Sequence, residues 1–257
     1  MAGNLKPRVF KAGNRGPFTL DGTRSFLVGK KSAVVIDPGP NVEEHVRALS
    51  FALSEAEDVR LLLTHGHGDH AGAAAPLSAA LGVPVSGHSS MDGQDLAEGQ
   101  SIPTDEGDLV AISTPGHTKD HIGFFWPRAA AFFAGDLVLG RGATTWLGEY
   151  QGCVADYLAS LDRVQELAPG IIYPAHGPPL RSPGRTLDLY RAHRMQRLDQ
   201  VSETRRANPE ATIGEFVRAV YGPEIPDRLA KAARSSIEVM LFHLDFPSPK
   251  AGESAGR

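Results

Sequence analysis

The stretch "LLLTHGHGDHAGAAA", Leu61 to Ala75, constrains this chain more than any other. An apolar run of strand length ends in four side chains able to bind a cation, His65, His67, Asp69 and His70, with glycines between them. Along the extended exit from a strand, residues two apart share a face, so His65 and His67 can converge on one ion. Asp69 and His70 fall where a helix is expected, over "AGAAAPLSAAL", and point a different way, toward a second ion. Gly66, Gly68 and Gly72 let the backbone turn sharply and approach closely there. Neither a helix packing face nor a solvated loop needs this density of donors.

Two ions need more donors, and the same grammar supplies them three more times: a short apolar run, a small residue, then one donor. "STPGHTKDHIG" puts His117 in a Pro-Gly turn after a strand expected at Leu109–Ser113. "AFFAGDLVLG" puts Asp136 after Ala131–Ala134, and "GIIYPAHGPPL" puts His176 after Ile171–Tyr173. Donors at four strand ends can gather on one edge of the sheets.

Further strands are expected at Phe26–Val28, Ala33–Ile36 and Ile122–Trp126, and in "VRLLLT" and "VPVSGH". Helices are expected over "NVEEHVRALSFAL", with Asn41 as its N-cap, and over "VADYLASLDRVQEL". This is an α/β pattern of packed sheets clad in helices. Past Pro183 the texture changes to three helices with no strand between them. The expected organisation is therefore a catalytic unit over residues 1–180, a helical unit over 181–246 and a flexible Pro/Ser/Gly-rich tail over 247–257.

Composition narrows the function classes. The single cysteine, Cys153, rules out an internal disulfide and a multi-thiolate metal site, and it reads as a packed small hydrophobe. The N-terminal residues lack an apolar targeting core, and no stretch approaches the ~20 apolar residues of a membrane span. Those features lead to the expectation of a cytoplasmic protein with no membrane partner. The net charge of −4 divides unevenly, with residues 1–180 acidic and residues 181–257 basic. Arg191, Arg194 and Arg197 recur at spacing three on one expected helix, where they can meet successive phosphates. Of the other histidines, His45 and His88 read as surface residues and His243 as the buried edge of the last helix. His121 and His193 are candidates for contacting substrate or protonating a leaving group, and His121 equally for supporting the metal ligands from behind.

In this order, "THGHGDHAG", "PGHT", "GD" and "AHG" resemble the signature of the metallo-β-lactamase superfamily. The stretches "GDLVLGRGATTWLGEYQGCVADYLASL" and "IIYPAHGPPLRSPGRTLDLYRAHRMQRLDQV" resemble a narrower branch, that of beta-lactamase-like protein 2, whose core carries a C-terminal winged-helix-like module. The resemblance implies a four-layer αββα sandwich with two metal ions, usually zinc, with iron or manganese also compatible with a thiolate-free donor set. It implies that His65, His67 and His117 hold one ion, that Asp69, His70 and His176 hold the other, and that Asp136 bridges them. It also implies that Asp37, in "VVIDPG", buttresses the metal loops. Such a pair of ions activates water near neutral pH and stabilises the oxyanion formed during hydrolysis, with Asp69 placed to take the proton.

The chemistry is thus expected to be metal-dependent hydrolysis. The branch and the basic helix point to the phosphodiester bonds of single-stranded RNA. The core architecture alone equally suits thioester hydrolysis of the hydroxyacylglutathione type, or another small ester. A different class, iron-dependent persulfide dioxygenation, can use the same donors. Antibiotic cleavage is disfavoured as a native role, because Asp136 stands where those enzymes mostly have a cysteine. The last segment, "DFPSPKAGESAGR", offers no strand for the wing of a winged helix.

Overall fold

The structure is a computed structural model, and it describes residues 5–87 and 94–247. The tail expected beyond residue 247 and His88 lie outside those residues.

Eleven strands form two sheets among the described residues. The first runs β1 (Arg8–Lys11), β2 (Arg24–Val28), β3 (Ser32–Ile36), β4 (Asp58–Leu62), β5 (Val85–Gly87) and β6 (Gln94–Asp95), in that spatial order. The second, in the order β11-β10-β9-β8-β7, is built from β7 (Ser101–Ile102), β8 (Leu109–Ser113), β9 (Ile122–Trp126), β10 (Ala131–Gly135) and β11 (Ile171–Pro174). The pairs β3–β4 and β10–β11 are parallel, and both precede a donor-bearing turn.

Both faces of the central strands are buried, which explains why they read as continuous apolar runs rather than alternating ones. In β3, Val34 and Ile36 point between the sheets while Ala33 and Val35 point outward against helices. In β10, Ala131 and Phe133 face the other sheet, and Phe132 and Ala134 face the opposite helical layer. Each phenylalanine so enclosed contributes about 1.5–3 kcal/mol of burial. Phe26, Phe124 and Trp126 fill the space between the sheets with them.

Helices cover both outer faces. On the first sheet lie α1 (Glu43–Ala52) and α3 (Ala74–Leu81), through Leu49 and Leu77. On the second lie α4 (Cys153–Leu167) and the C-terminal helices α5 (Pro183–Ala207), α6 (Ile213–Tyr221) and α7 (Asp227–Asp245). The result is the expected αββα sandwich. The C-terminal helices share one hydrophobic cluster with β10 and α4, which joins Phe132 to Leu198, Phe216 and Ile237. Among the described residues no strand follows α7. No helix among them is long and apolar enough to cross a membrane.

Several local expectations need correcting. The single helix expected over "AGAAAPLSAAL" is two, a one-turn α2 (Gly68–Ala71) and α3. Pro76 is accommodated because it falls in the first turn of α3, where its missing N–H has no partner to lose. The N-cap of α1 is Val42, without a side-chain cap, rather than Asn41. His45 is buried, with Nε2 2.8 Å from Ser25 Oγ, and is not a surface residue. The short strands β1, β6 and β7 were not expected at all, because edge strands of two to four residues carry too little periodicity to read.

Candidate metal centre

The donors converge because each follows a strand that stops at the same rim. His65 comes three residues after β4, His117 four after β8, Asp136 directly after β10 and His176 two after β11. Backbone bonds lock the two sheets together here: Ile122 N donates to Thr64 O, and Arg24 N to Ala175 O, both at 2.8 Å. His67 ends the turn before α2, and that single helical turn presents Asp69 and His70.

Three donor groups result, each compact enough to surround one cation: His65, His67 and His117; His65, His70 and Asp136; and Asp69, His70 and His176. His67 Nδ1 lies 3.0 Å from His65 Nε2 and 3.1 Å from His117 Nε2. Asp136 stands between the groups, with Oδ1 3.2 Å from His176 Nε2 and 3.6 Å from His70 Nε2, and Oδ2 3.6 Å from His117 Nε2. Asp69 Oδ2 is 3.2 Å from His176 Nε2 and 3.3 Å from Thr23 Oγ1.

The outward-facing hydrogen bonds decide what the inward atoms can do. Asp37 accepts from Thr64 N and from Thr64 Oγ1 at 2.8 Å, and from His70 Nδ1 at 2.9 Å. Having given its proton to Asp37, the Thr64 hydroxyl accepts from His65 Nδ1 at 3.0 Å. His117 Nδ1 donates to Trp146 O at 3.0 Å. In all three rings the proton is therefore held at Nδ1, and the Nε2 lone pair faces the centre. His70 Nε2 and Asp136 Oδ1 are buried there with no hydrogen-bond partner. Inward lone pairs, orphaned buried atoms and a nitrogen–oxygen donor set together suit divalent cations.

The electrostatics are those of charge packed into a dry rim. Burial and the neighbouring rings His70 and His117 hold the His65 pKa well below the ordinary value. Burial opposes ionisation of Asp136, but His70 and His176 overcome it and hold this carboxyl well below the usual range. Burial likewise opposes protonation of His176, and Asp136 and Asp69 outweigh it, lifting its pKa to about 9.

The other candidates separate. His121 is buried, with Nδ1 2.8 Å from Thr114 Oγ1 and Nε2 accepting from Asp136 N at 3.2 Å. Both nitrogens are engaged and burial holds its pKa down to about 3, so it positions Asp136 and is not placed to touch substrate. Gly135, at φ +48°, is required beside it, since a Cβ there would lie 2.6 Å from His121 Nε2. The three arginines of α5 do not act as one row. Arg191 turns to α4, bonding Leu158 O and pairing with Asp162, whereas Arg194 and Arg197 line the cavity beside the donors. His193 lines that cavity too. The spacing of three carries successive residues around the helix, enough to send the first to a different neighbour.

That cavity holds about 1100 Å³ and reaches from the donors to the underside of α5 and α7. Pro17, Phe18, Leu139, Trp146, Ile225 and Leu229 give it an apolar wall. Trp146 was missed in the sequence, where one tryptophan in a loop carries no periodic signal. Its ring lies 5.9 Å from that of His117, and its Nε1 donates to Ala232 O on α7 at 3.2 Å.

Residues 18–94 match the sequence pattern described as Metallo-beta-lactamase superfamily. A Beta-lactamase-like protein 2 homolog of Caenorhabditis elegans is 30% identical over 245 residues, covering 90% of this chain and 81% of its own length. A protein of Aspergillus chevalieri named Atrochrysone carboxyl ACP thioesterase is 32% identical over 259 residues, covering 93% and 82%. Among solved structures, a metallo-beta-lactamase family protein from Thermus thermophilus superposes with a TM-score of 0.78 at 18% identity, covering 93% of each chain.

Proposed function

The chain belongs to the metallo-beta-lactamase superfamily and is a hydrolase of it; we propose that it cleaves an acyl thioester, with two divalent cations held at the rim of the sandwich. His65, His67 and His117 would hold one cation, Asp69, His70 and His176 the other, and Asp136 would serve both. Zinc suits this donor set, and iron and manganese share its preferences. The chemistry supplied by such a pair is Lewis acidity at a carbonyl oxygen and a water that ionises near neutral pH. Asp69, the more accessible of the two carboxylates in the set, is assigned to orient the attacking water and accept its proton. His121 and Asp37 keep the donors in register.

The observation that carries the thioester reading is the cavity itself. A largely apolar cavity opening onto the donors suits an acyl chain, whose burial is favourable. The row of three arginines that favoured single-stranded RNA loses Arg191 to its pairing with Asp162. The thioesterase name carried by a relative of 32% identity points the same way.

The test is a side-by-side screen of zinc-loaded protein on acyl thioesters of coenzyme A and N-acetylcysteamine, unstructured RNA, a lactone and a β-lactam. Thioesters should be turned over fastest. RNA cleavage with the thioesters left intact would sink this reading.

A further inference from the structure

Along α5, Arg191 and Arg205 each meet a carboxylate, Asp162 and Asp245. The two arginines turned into the cavity do not: among the described residues neither Arg194 nor Arg197 has an ion-pair partner. Arg194 is only 4% exposed. Its Nη2 donates to Thr145 O at 2.9 Å and its guanidinium lies 5.6 Å over the Tyr157 ring, yet Nε is buried without a partner. Arg197 repeats the pattern. Its guanidinium lies 5.2 Å over the Tyr221 ring and bonds Val220 O and Gln200, and its Nε is again unpartnered. Beside them, His193 presents a buried Nδ1 with no partner, and burial and the two arginines lower its pKa.

A guanidinium taken out of water without a counter-charge is costly, so folding alone gives no reason to bury Arg194 and half-bury Arg197 in a largely apolar chamber. A ligand carboxylate would supply what is missing. The planar fork of arginine matches a carboxylate with paired, charge-assisted bonds. We propose that Arg194 and Arg197, flanked by His193, form a subsite for a carboxylate carried on the acyl part of the substrate. This rests on the thioester reading and names its substrate class: acyl groups that carry an acid.

Position assigns the anion to the acyl part rather than to the carrier. Thr145, whose carbonyl Arg194 holds, donates its own hydroxyl to Asp136 O at 2.8 Å, so the guanidinium is one loop residue from the donors. Arg228 and Lys231 on α7 also line the cavity but are exposed, as is Glu224, so they are open to the phosphates of a carrier rather than buried against the acyl part.

The experiment uses full-length, metal-loaded protein and four substrates: glutaryl and butyryl thioesters, each on coenzyme A and on N-acetylcysteamine, which lacks phosphate. In Arg197→Gln, KM for both glutaryl substrates should rise about tenfold to a hundredfold, as expected for loss of one desolvated charge pair, with the butyryl values within about threefold of the parent. Equal losses on all four substrates would make the arginine structural, and a loss that follows coenzyme A would assign it to carrier phosphate; either result overturns the subsite. Arg194→Lys, which keeps the charge but not the fork, should show the same selective loss. If the parent cleaves no thioester, the thioester reading fails on its own, and thermal melting still tests the subsite. Glutarate should then raise the melting temperature of the parent more than butyrate does, and Arg197→Gln should abolish the difference. No difference in the parent would overturn the proposal.

Discussion

Replacing Asp37 by asparagine isolates the hydrogen bonds that aim the donors. The backbone there has φ +49°, a conformation that asparagine tolerates, so strain does not confuse the result. One carboxylate oxygen accepts from Thr64 N, a donor that cannot reverse. The oxygen of the introduced amide must take that place, which turns its NH₂ toward Thr64 Oγ1 and His70 Nδ1. Both must then accept. His70 moves its proton to Nε2, and the Thr64 hydroxyl, now free to donate, asks the same of His65. Two lone pairs that faced the centre become N–H groups. Since loss of one such outer partner costs about 10- to 100-fold in metal affinity, and one ring of each cation's donor set is affected, each cation should bind about 10- to 100-fold more weakly. That corresponds to about 1.4–2.7 kcal/mol. Competition titration with a chromophoric chelator measures the affinity, and ¹⁵N shifts of the imidazoles report the tautomers. An affinity within about threefold of the parent, or tautomers unchanged in the variant, would refute the argument.

Removing bound metal should lower the melting temperature. At a hundredfold excess of ion over Kd the contribution is about 2.7 kcal/mol, or roughly 5–10 °C for a chain this size, and no change on verified chelation would count against the donor assignment. Gly135→Ala should lose both stability and metal affinity, by about 1–3 kcal/mol in stability, because a Cβ would meet His121 Nε2 at 2.6 Å and Thr64 Oγ1 at 2.7 Å. Denaturant titration should show that loss, and a variant as stable as the parent would mean that the rim yields easily. The side-chain hydrogen bond from Arg24 depresses the pKa of Asp21 to about 2 from an ordinary value of 3.8. The pair therefore stabilises the fold above about pH 4, and that contribution is lost as pH falls through about 2. Asp21→Asn should flatten this part of the acid-unfolding curve, and an unaltered curve would remove the pair from the account.

The donors were legible in the sequence because each sits in a local pattern: a strand-length apolar run, a small residue, then the donor. His65, His67, Asp69, His70, His117, Asp136 and His176 all stand out in this way. The central strands were legible for a related reason, since burial on both faces leaves no polar residue to interrupt β3 or β10. Edge strands such as β1 and β7 lack that signature. Side-chain direction on a helix was not legible either. Arg191 and Arg194 are three residues apart, yet one pairs with Asp162 on α4 while the other is buried over Tyr157 at the cavity wall. His45 read as a surface residue and the role of His121 was left open between substrate contact and ligand support, because their burial against Ser25 and Thr114 depends on partners 20 and 7 residues away. The cavity, too, exists only once α5 and α7 fold over the rim and Trp146 meets Ala232. Chemistry encoded by neighbours in sequence could be read directly. The shape and lining of the pocket were decided by contacts between distant segments, because a cavity wall and unpaired charge are properties of surfaces that meet only in three dimensions.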